Sequence, residues 1–159
     1  NGITTGFSVV HMLEDPHAAF LVYLAVAPEH QSRGLGRGLL DISWQYARNQ
    51  SAAEKKALTG MVWEVDIPDS APNGEKRNLS ERRIHFFEQF GANVCRVAYQ
   101  QPPLFDAAPV PMHLMFKSAG GASMPDDAAV RKLVRAMYGE KYHDMNGIDR
   151  EVLDKLLAA

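Results

Sequence analysis

The sequence is short of cysteine, of net charge and of long apolar runs. A single cysteine, Cys95, among 159 residues excludes an internal disulfide and suits a reducing compartment such as the cytoplasm. Lys and Arg total 17 against 19 Asp and Glu, so no strong field recruits nucleic acid or an anionic membrane. No apolar run is long enough to span a bilayer, and no signal peptide is expected ahead of the first strand. The histidines lack metal-ligand spacing, with no HExxH pattern and no Cys/His cluster, so no metal is expected. A Gly-x-Ser-x-Gly nucleophile elbow is absent too. What remains is an ordinary globular composition, 46% hydrophobic and 23% charged, with no internal repeat and enough length to bury a sizeable core.

The richest stretch is Ala19 to Leu40. An apolar run stops at Pro28, which lacks an N–H and ends a ladder, and a glycine-rich turn, Gln31-Ser32-Arg33-Gly34-Leu35-Gly36, then opens a helix. Leu35, Leu39, Leu40, Ser43 and Ala47 fall on one helical face. Such a turn leaves main-chain N–H groups unpaired at the positive end of a helix dipole, and its glycines let an anion approach closely. Arg33 and Arg37 flank it with positive charge. A dinucleotide fingerprint would need glycine where Leu39 stands, and the Gly-Lys-Ser/Thr of a Walker A loop is missing. The turn reads as an anion cradle of another kind.

The rest of the chain reads as α/β. Strands are expected at Phe7–Leu13, Ala19–Ala27 and Leu58–Ile67, with a turn at Glu14–His17 and a helix from about Gly36 to Asn49. Asp69–Asn78 reads as a polar loop. Ser80 is the expected N-cap of a helix through Phe90, with Gly91 as its C′ residue. Two further strands, Asn93–Tyr99 and Met112–Lys117, are joined by a proline-rich connection over Gln101–Pro111.

On these motifs the chain resembles the GNAT superfamily of N-acetyltransferases. Val26-Ala27-Pro28 followed by Gln31-x-x-Gly34-x-Gly36 is similar to that family's acyl-CoA-binding motif, and Arg83 to Ala92 is similar to its helix-to-strand signature. The resemblance implies a mixed, mostly antiparallel central sheet flanked by helices. It also implies transfer of an acetyl group from acetyl-CoA to a primary amine, by direct attack in a ternary complex. The acceptor would be a small molecule or a peptide; a protein N-terminus or lysine is the alternative, as is a non-catalytic acyl-CoA-binding module. The main-chain groups of Leu24 and Val26 would pair with pantetheine, and Leu24 N–H would stabilise the oxyanion. Gln31, Ser32, Arg33, Gly34, Leu35, Gly36 and Arg37 would hold the pyrophosphate, and Phe87 would lie at the thiol.

Glu64, in Trp63-Glu64-Val65, matches the carboxylate of ribosomal-protein N-terminal acetyltransferases and is the candidate general base. The competing reading is an ion pair with Arg82 or Arg83, and Asp66 is the reserve base. Two departures from the family stand out. Its general-acid tyrosine is replaced by Phe87, and only six residues precede Phe7 where the family has a strand and two helices. The resemblance therefore assigns residues 1–117 to a core lacking that N-terminal part, whose wall of the acceptor site would come either from residues ahead of this sequence or from another subunit.

Residues 118–159 are expected to form a linker, Ser118–Ser123, and a C-terminal helical arm. Pro125-Asp126-Asp127 starts a helix carrying Val130, Leu133, Val134 and Met137, and a last helix carries Val152, Leu153, Leu156 and Leu157. These stripes need a surface, either the chain's own sheet or a second copy in a homodimer. That reading is preferred over an arm that covers the acceptor cleft and brings in Tyr138 or Tyr142 as the missing acid.

Overall fold

Proline, glycine and alternating apolar residues divide the chain into short segments, and the computed structural model describes residues 2–104, 107–121 and 124–158. Strands β1 (Gly6–Leu13) and β2 (Ala18–Val26) form an antiparallel hairpin, and helix α1 (Leu35–Ala53) follows. Strand β3 (Gly60–Asp66) leads to helix α2 (Gly74–Glu88). Strands β4 (Asn93–Val94), β5 (Tyr99–Gln101) and β6 (Val110–Ser118) complete the sheet. The arm holds α3 (Asp127–Ala136), a π-helical stretch (Met137–His143) and α4 (Arg150–Ala158). Two residues of the expected linker, Ala122 and Ser123, lie outside the described residues.

The sheet runs β1-β2-β3-β6, with β4 and β5 both on the far edge of β6. Every pairing is antiparallel except β2 with β3. That parallel pairing covers only Ala19↔Met61 and Phe20↔Val62, and the strands then diverge. A bulge accompanies the divergence. Val9 faces Tyr23 and Val10 faces Leu21, so Val22 has no partner on β1 and β2 bends there.

Each face of the sheet carries its own core. On one side α1 and α2 cover Leu21, Met61, Trp63 and Met115, with Leu40, Ala47, Phe87 and Phe90 packed among them. On the other side the arm lays Val130, Leu133, Tyr138 and Tyr142 over Phe20, Val62, Leu114 and Phe116. The arm thus docks on the chain's own sheet. Polar ties fix its edge to the β1–β2 turn. Lys132 Nζ meets Asp15 at 2.6 Å, and the Glu140 carboxylate accepts the Glu14 N–H at 2.9 and 3.1 Å. No described helix is long and apolar enough to cross a membrane.

Several boundaries differ from expectation for local reasons. Helix α2 starts at Gly74, because the Asn73 side chain accepts the Lys76 N–H at 2.9 Å and caps it. Ser80 is therefore inside the helix, where its hydroxyl donates to the Lys76 carbonyl at 3.1 Å. The strand expected over Asn93–Tyr99 is broken into β4 and β5. Gly91 does take the left-handed conformation (φ 87°) just beyond α2. The α2 end is also pinned from outside: Lys117 Nζ donates to Phe90 O at 2.7 Å and Arg37 Nη1 to Gln89 O at 3.2 Å.

Candidate active site

The turn before α1 has the geometry of an anion cradle. Gly34 is left-handed (φ 81°), as is Ser32 (φ 60°), and a Cβ added at Gly34 would meet nothing within 4 Å. Among the described residues, no backbone acceptor takes the N–H groups from Ser32 to Arg37; the first amide satisfied is Gly38, bonded to Gly34 O at 3.0 Å. These donors sit at the positive end of a 19-residue helix. A groove of about 430 Å³ runs past them. Val26, Gln31, Ser32, Gly34, Gly36 and Arg37 form one side, and Phe86 and Gln89 of α2 form the other. Gly36 is where the two walls come close, since a Cβ there would touch Phe86 and Val26.

The side chains refine this picture. Gln31 Nε2 donates to Val26 O at 3.1 Å, which ties the turn back to the end of β2. Arg37 is engaged by Asp41 at 3.2 Å and lies over the Phe90 ring, so its charge is partly committed to joining α1 and α2. Arg33 and Leu35 are exposed. Phe87 does not line the groove. Its ring is buried, with its centroid 4.8 Å from that of Trp63, and Phe86 takes the groove-facing position. Sequence reasoning missed Phe86; the signal lay in its spacing from Gln89, one turn apart on the same helical face.

Main-chain polarity in β2 follows from one hydrogen bond. Ala27 N–H donates to Thr5 O at 2.8 Å, so in the alternating antiparallel ladder Ala25 and Tyr23 turn their polar groups toward β1. Leu24 and Val26 turn theirs the other way, into the opening between β2 and β3. Beyond Phe20 no β3 residue pairs with that edge.

Glu64 lies across the opening, on the sheet face that the arm covers. Tyr142 Oη donates to its Oε1 at 2.7 Å, Tyr99 Oη donates to the same oxygen, and Gln101 Nε2 donates to Oε2 at 2.8 Å. Glu64 itself is half-buried while both phenols are buried. The ion pair of the competing reading, with Arg82 or Arg83, is not made. Arg83 meets Asp66 at 2.6 Å instead, which also commits the reserve base. Tyr138 donates to Gln100 O at 2.5 Å. Burial first, and the Glu64 charge second, push the phenols of Tyr99, Tyr138 and Tyr142 well above the ordinary tyrosine range. They therefore stay protonated and act as fixed donors. Cys95 takes no part: it is buried, and burial pushes its thiol up to about 11.

Residues 1–65 match the model of the acetyltransferase (GNAT) family. Among solved structures, a GNAT-family protein of Bacteroides thetaiotaomicron superposes with a TM-score of 0.64 at 18% identity, covering 91% of this chain and 68% of that one. Nourseothricin acetyltransferase gives 0.51 at 21% identity, covering 72% and 57%. The ribosomal-protein-S18-alanine N-acetyltransferase of Escherichia coli gives 0.50 at 23%, covering 80% and 67%. The chain thus spans 57 to 68% of the length of these proteins, and at such identities the likeness establishes the fold. None of the curated proteins matches the sequence. The chain thus has the fold of these acetyltransferase structures, and its residues 1–65 are similar in sequence to the GNAT family.

Proposed function

We propose that the chain transfers the acetyl group of acetyl-CoA to a primary amine by direct attack in a ternary complex. The observation that carries this reading is the opening between β2 and β3, which has unpaired main-chain donors along one side and the Glu64 carboxylate across from them. The pyrophosphate of CoA would sit on the Ser32–Arg37 amides, with Gly34 leaving room for it. Pantetheine would run along the free edge of Leu24 and Val26 as an added strand does. Leu24 N–H would then face the acyl carbonyl, and one such preorganised donor is worth roughly 10²–10³ in rate.

In this mechanism the amine nitrogen forms a bond to the carbonyl carbon, the C–S bond breaks, and the electron pair leaves as CoA thiolate. The proton lost by nitrogen goes to Glu64. An ionised carboxylate accepts about four hydrogen bonds. Two phenols occupy Oε1 and one amide occupies Oε2, so the open acceptor position belongs to Oε2. Tyr138 and Tyr142 are poor acids for the thiolate, because both phenols are pushed up and both protons are already donated. With Phe87 buried, the thiolate leaves unprotonated or takes its proton from water.

Binding and chemistry are separable by two substitutions. Gly34→Asp forces a side chain into left-handed backbone and places negative charge in the cradle. The parent should gain about 2.7 kcal/mol of stability at a hundredfold excess of acetyl-CoA over Kd, and Gly34→Asp should gain almost none. Equal stabilisation of the two, read by thermal denaturation with and without acetyl-CoA, would remove the cradle assignment. Glu64→Gln should keep that stabilisation and lower kcat by about 10²–10⁴. A variant turning over at the parental rate would exclude Glu64 as the base.

A further inference from the structure

A second groove, of about 420 Å³, lies along the other flank of α2. Its walls are largely apolar, with Ile67 from the end of β3, Leu79 from α2 and Val110 from the start of β6. Leu79 is 51% exposed and Val110 is 47% exposed, so both present apolar surface to the groove. Lys76 and the Asp66–Arg83 pair supply its charged groups. Two cations against one carboxylate leave the groove with one net positive charge. Among the described residues Lys76 makes no ion pair, so that charge resides on it.

Glu64 does not line this groove, but two residues that do are close to it in the sheet. Asp66 follows Glu64 by two residues on the same side of β3, about 7 Å along the strand. Val110 is the cross-strand neighbour of Gln101, and Gln101 is the residue that holds Oε2 of Glu64. Helix α2 also joins this groove to the CoA cradle. It offers Lys76, Leu79 and Arg83 here and Phe86 and Gln89 there.

We infer that this groove holds the acceptor, and that the acceptor is a primary amine joined through an apolar spacer to an anionic group. The inference rests on the acetyl-transfer reading above. The amine stands at the Glu64 carboxylate, the spacer lies between Leu79 and Val110, and the anion meets Lys76. Asp66, where the groove comes nearest Glu64 along β3, is already about 7 Å away, so amine and anion must be separated by at least about that length. An extended chain of five methylene groups meets that requirement.

Aminocaproate and hexylamine share this spacer and differ in the anion. An exposed charge pair is worth up to about 1 kcal/mol, so kcat/KM should favour aminocaproate by about fivefold. Lys76→Glu replaces attraction by repulsion and should reverse the ratio, with hexamethylenediamine becoming the preferred substrate. Arg82→Ala, on α2 but outside the groove, should leave the ratio as in the parent. Calorimetric titration of the same amines onto the CoA complex reads the preference without turnover. Equal kcat/KM and equal binding for the two amines, or a preference that survives Lys76→Glu, would overturn the acceptor assignment while leaving acetyl transfer intact. Lys76-dependent binding of aminocaproate without turnover of any amine would uphold the groove and overturn acetyl transfer.

Discussion

Removing one hydroxyl, in Tyr142→Phe, tests whether the C-terminal arm is part of the catalytic apparatus. The ring of Tyr142 packs near Phe20, with centroids 6.3 Å apart, and phenylalanine preserves that contact. What is lost is a 2.7 Å hydrogen bond to an ionised carboxylate. Such bonds contribute about 1.5–3 kcal/mol. At 1.36 kcal/mol per tenfold in rate, kcat/KM should fall by about 10-fold to 10²-fold if that bond aims the carboxylate at the amine, with Tyr99 and Gln101 still holding the carboxylate in place. Release of the CoA thiol, followed continuously, measures it. A kcat/KM within about twofold of the parent would mean that Tyr142 acts only by packing.

Two further outcomes concern the frame around the site. A Cβ at Gly60 would fall well inside contact distance of the Lys117 carbonyl and the Phe116 ring, so Gly60→Ala should cost about 3 kcal/mol. For a domain of this size that lowers Tm by about 6–12 °C, and an unchanged Tm would contradict the register of β3 on β6. The Cys95 thiol, pushed up to about 11 by burial, should resist maleimide at pH 8 in the folded protein. A group whose folded pKa is raised stabilises the fold below its unfolded pKa and loses that contribution as pH rises toward the folded value. Stability in denaturant should accordingly fall from pH 9 upward, more steeply above 10 as the raised phenols of Tyr99, Tyr138 and Tyr142 join in. Constant stability from pH 9 to 11 would refute their burial.

What the sequence made legible was local. Pro28 ending β2, the glycine turn opening α1 and Gly91 closing α2 each act within a few residues, and each is where the pattern put it. The misplaced start of α2 shows the limit of such reasoning. Pro72, Asn73 and Gly74 carry turn chemistry, and the same residues also form a cap. Asn73 and Ser80 both offer a capping oxygen; Asn73 accepts the Lys76 N–H, while the Ser80 hydroxyl donates to the Lys76 carbonyl within the helix. The bulge at Val22 was invisible because nothing in an apolar run marks which residue loses its partner.

The site divides along the same line. The turn before α1 is built from main-chain groups close in sequence, so its geometry could be read from spacing alone. Glu64 was legible as a residue, but its surroundings were not. Its three donors come from 35, 37 and 78 positions away, brought in by β5 and by the π-helical stretch of the arm. No periodicity encodes a contact at that separation; only the fold of the arm onto the sheet creates it. That dependence alters what the carboxylate can do. An ion pair with Arg83 would have tied Glu64 to a half-exposed cation; Arg83 pairs with Asp66 instead. Two buried phenols and one amide leave a carboxylate that is oriented and hydrogen-bonded and that, among the described residues, pairs with no cation. A carboxylate held in that way keeps its direction through a residue 78 positions away, Tyr142.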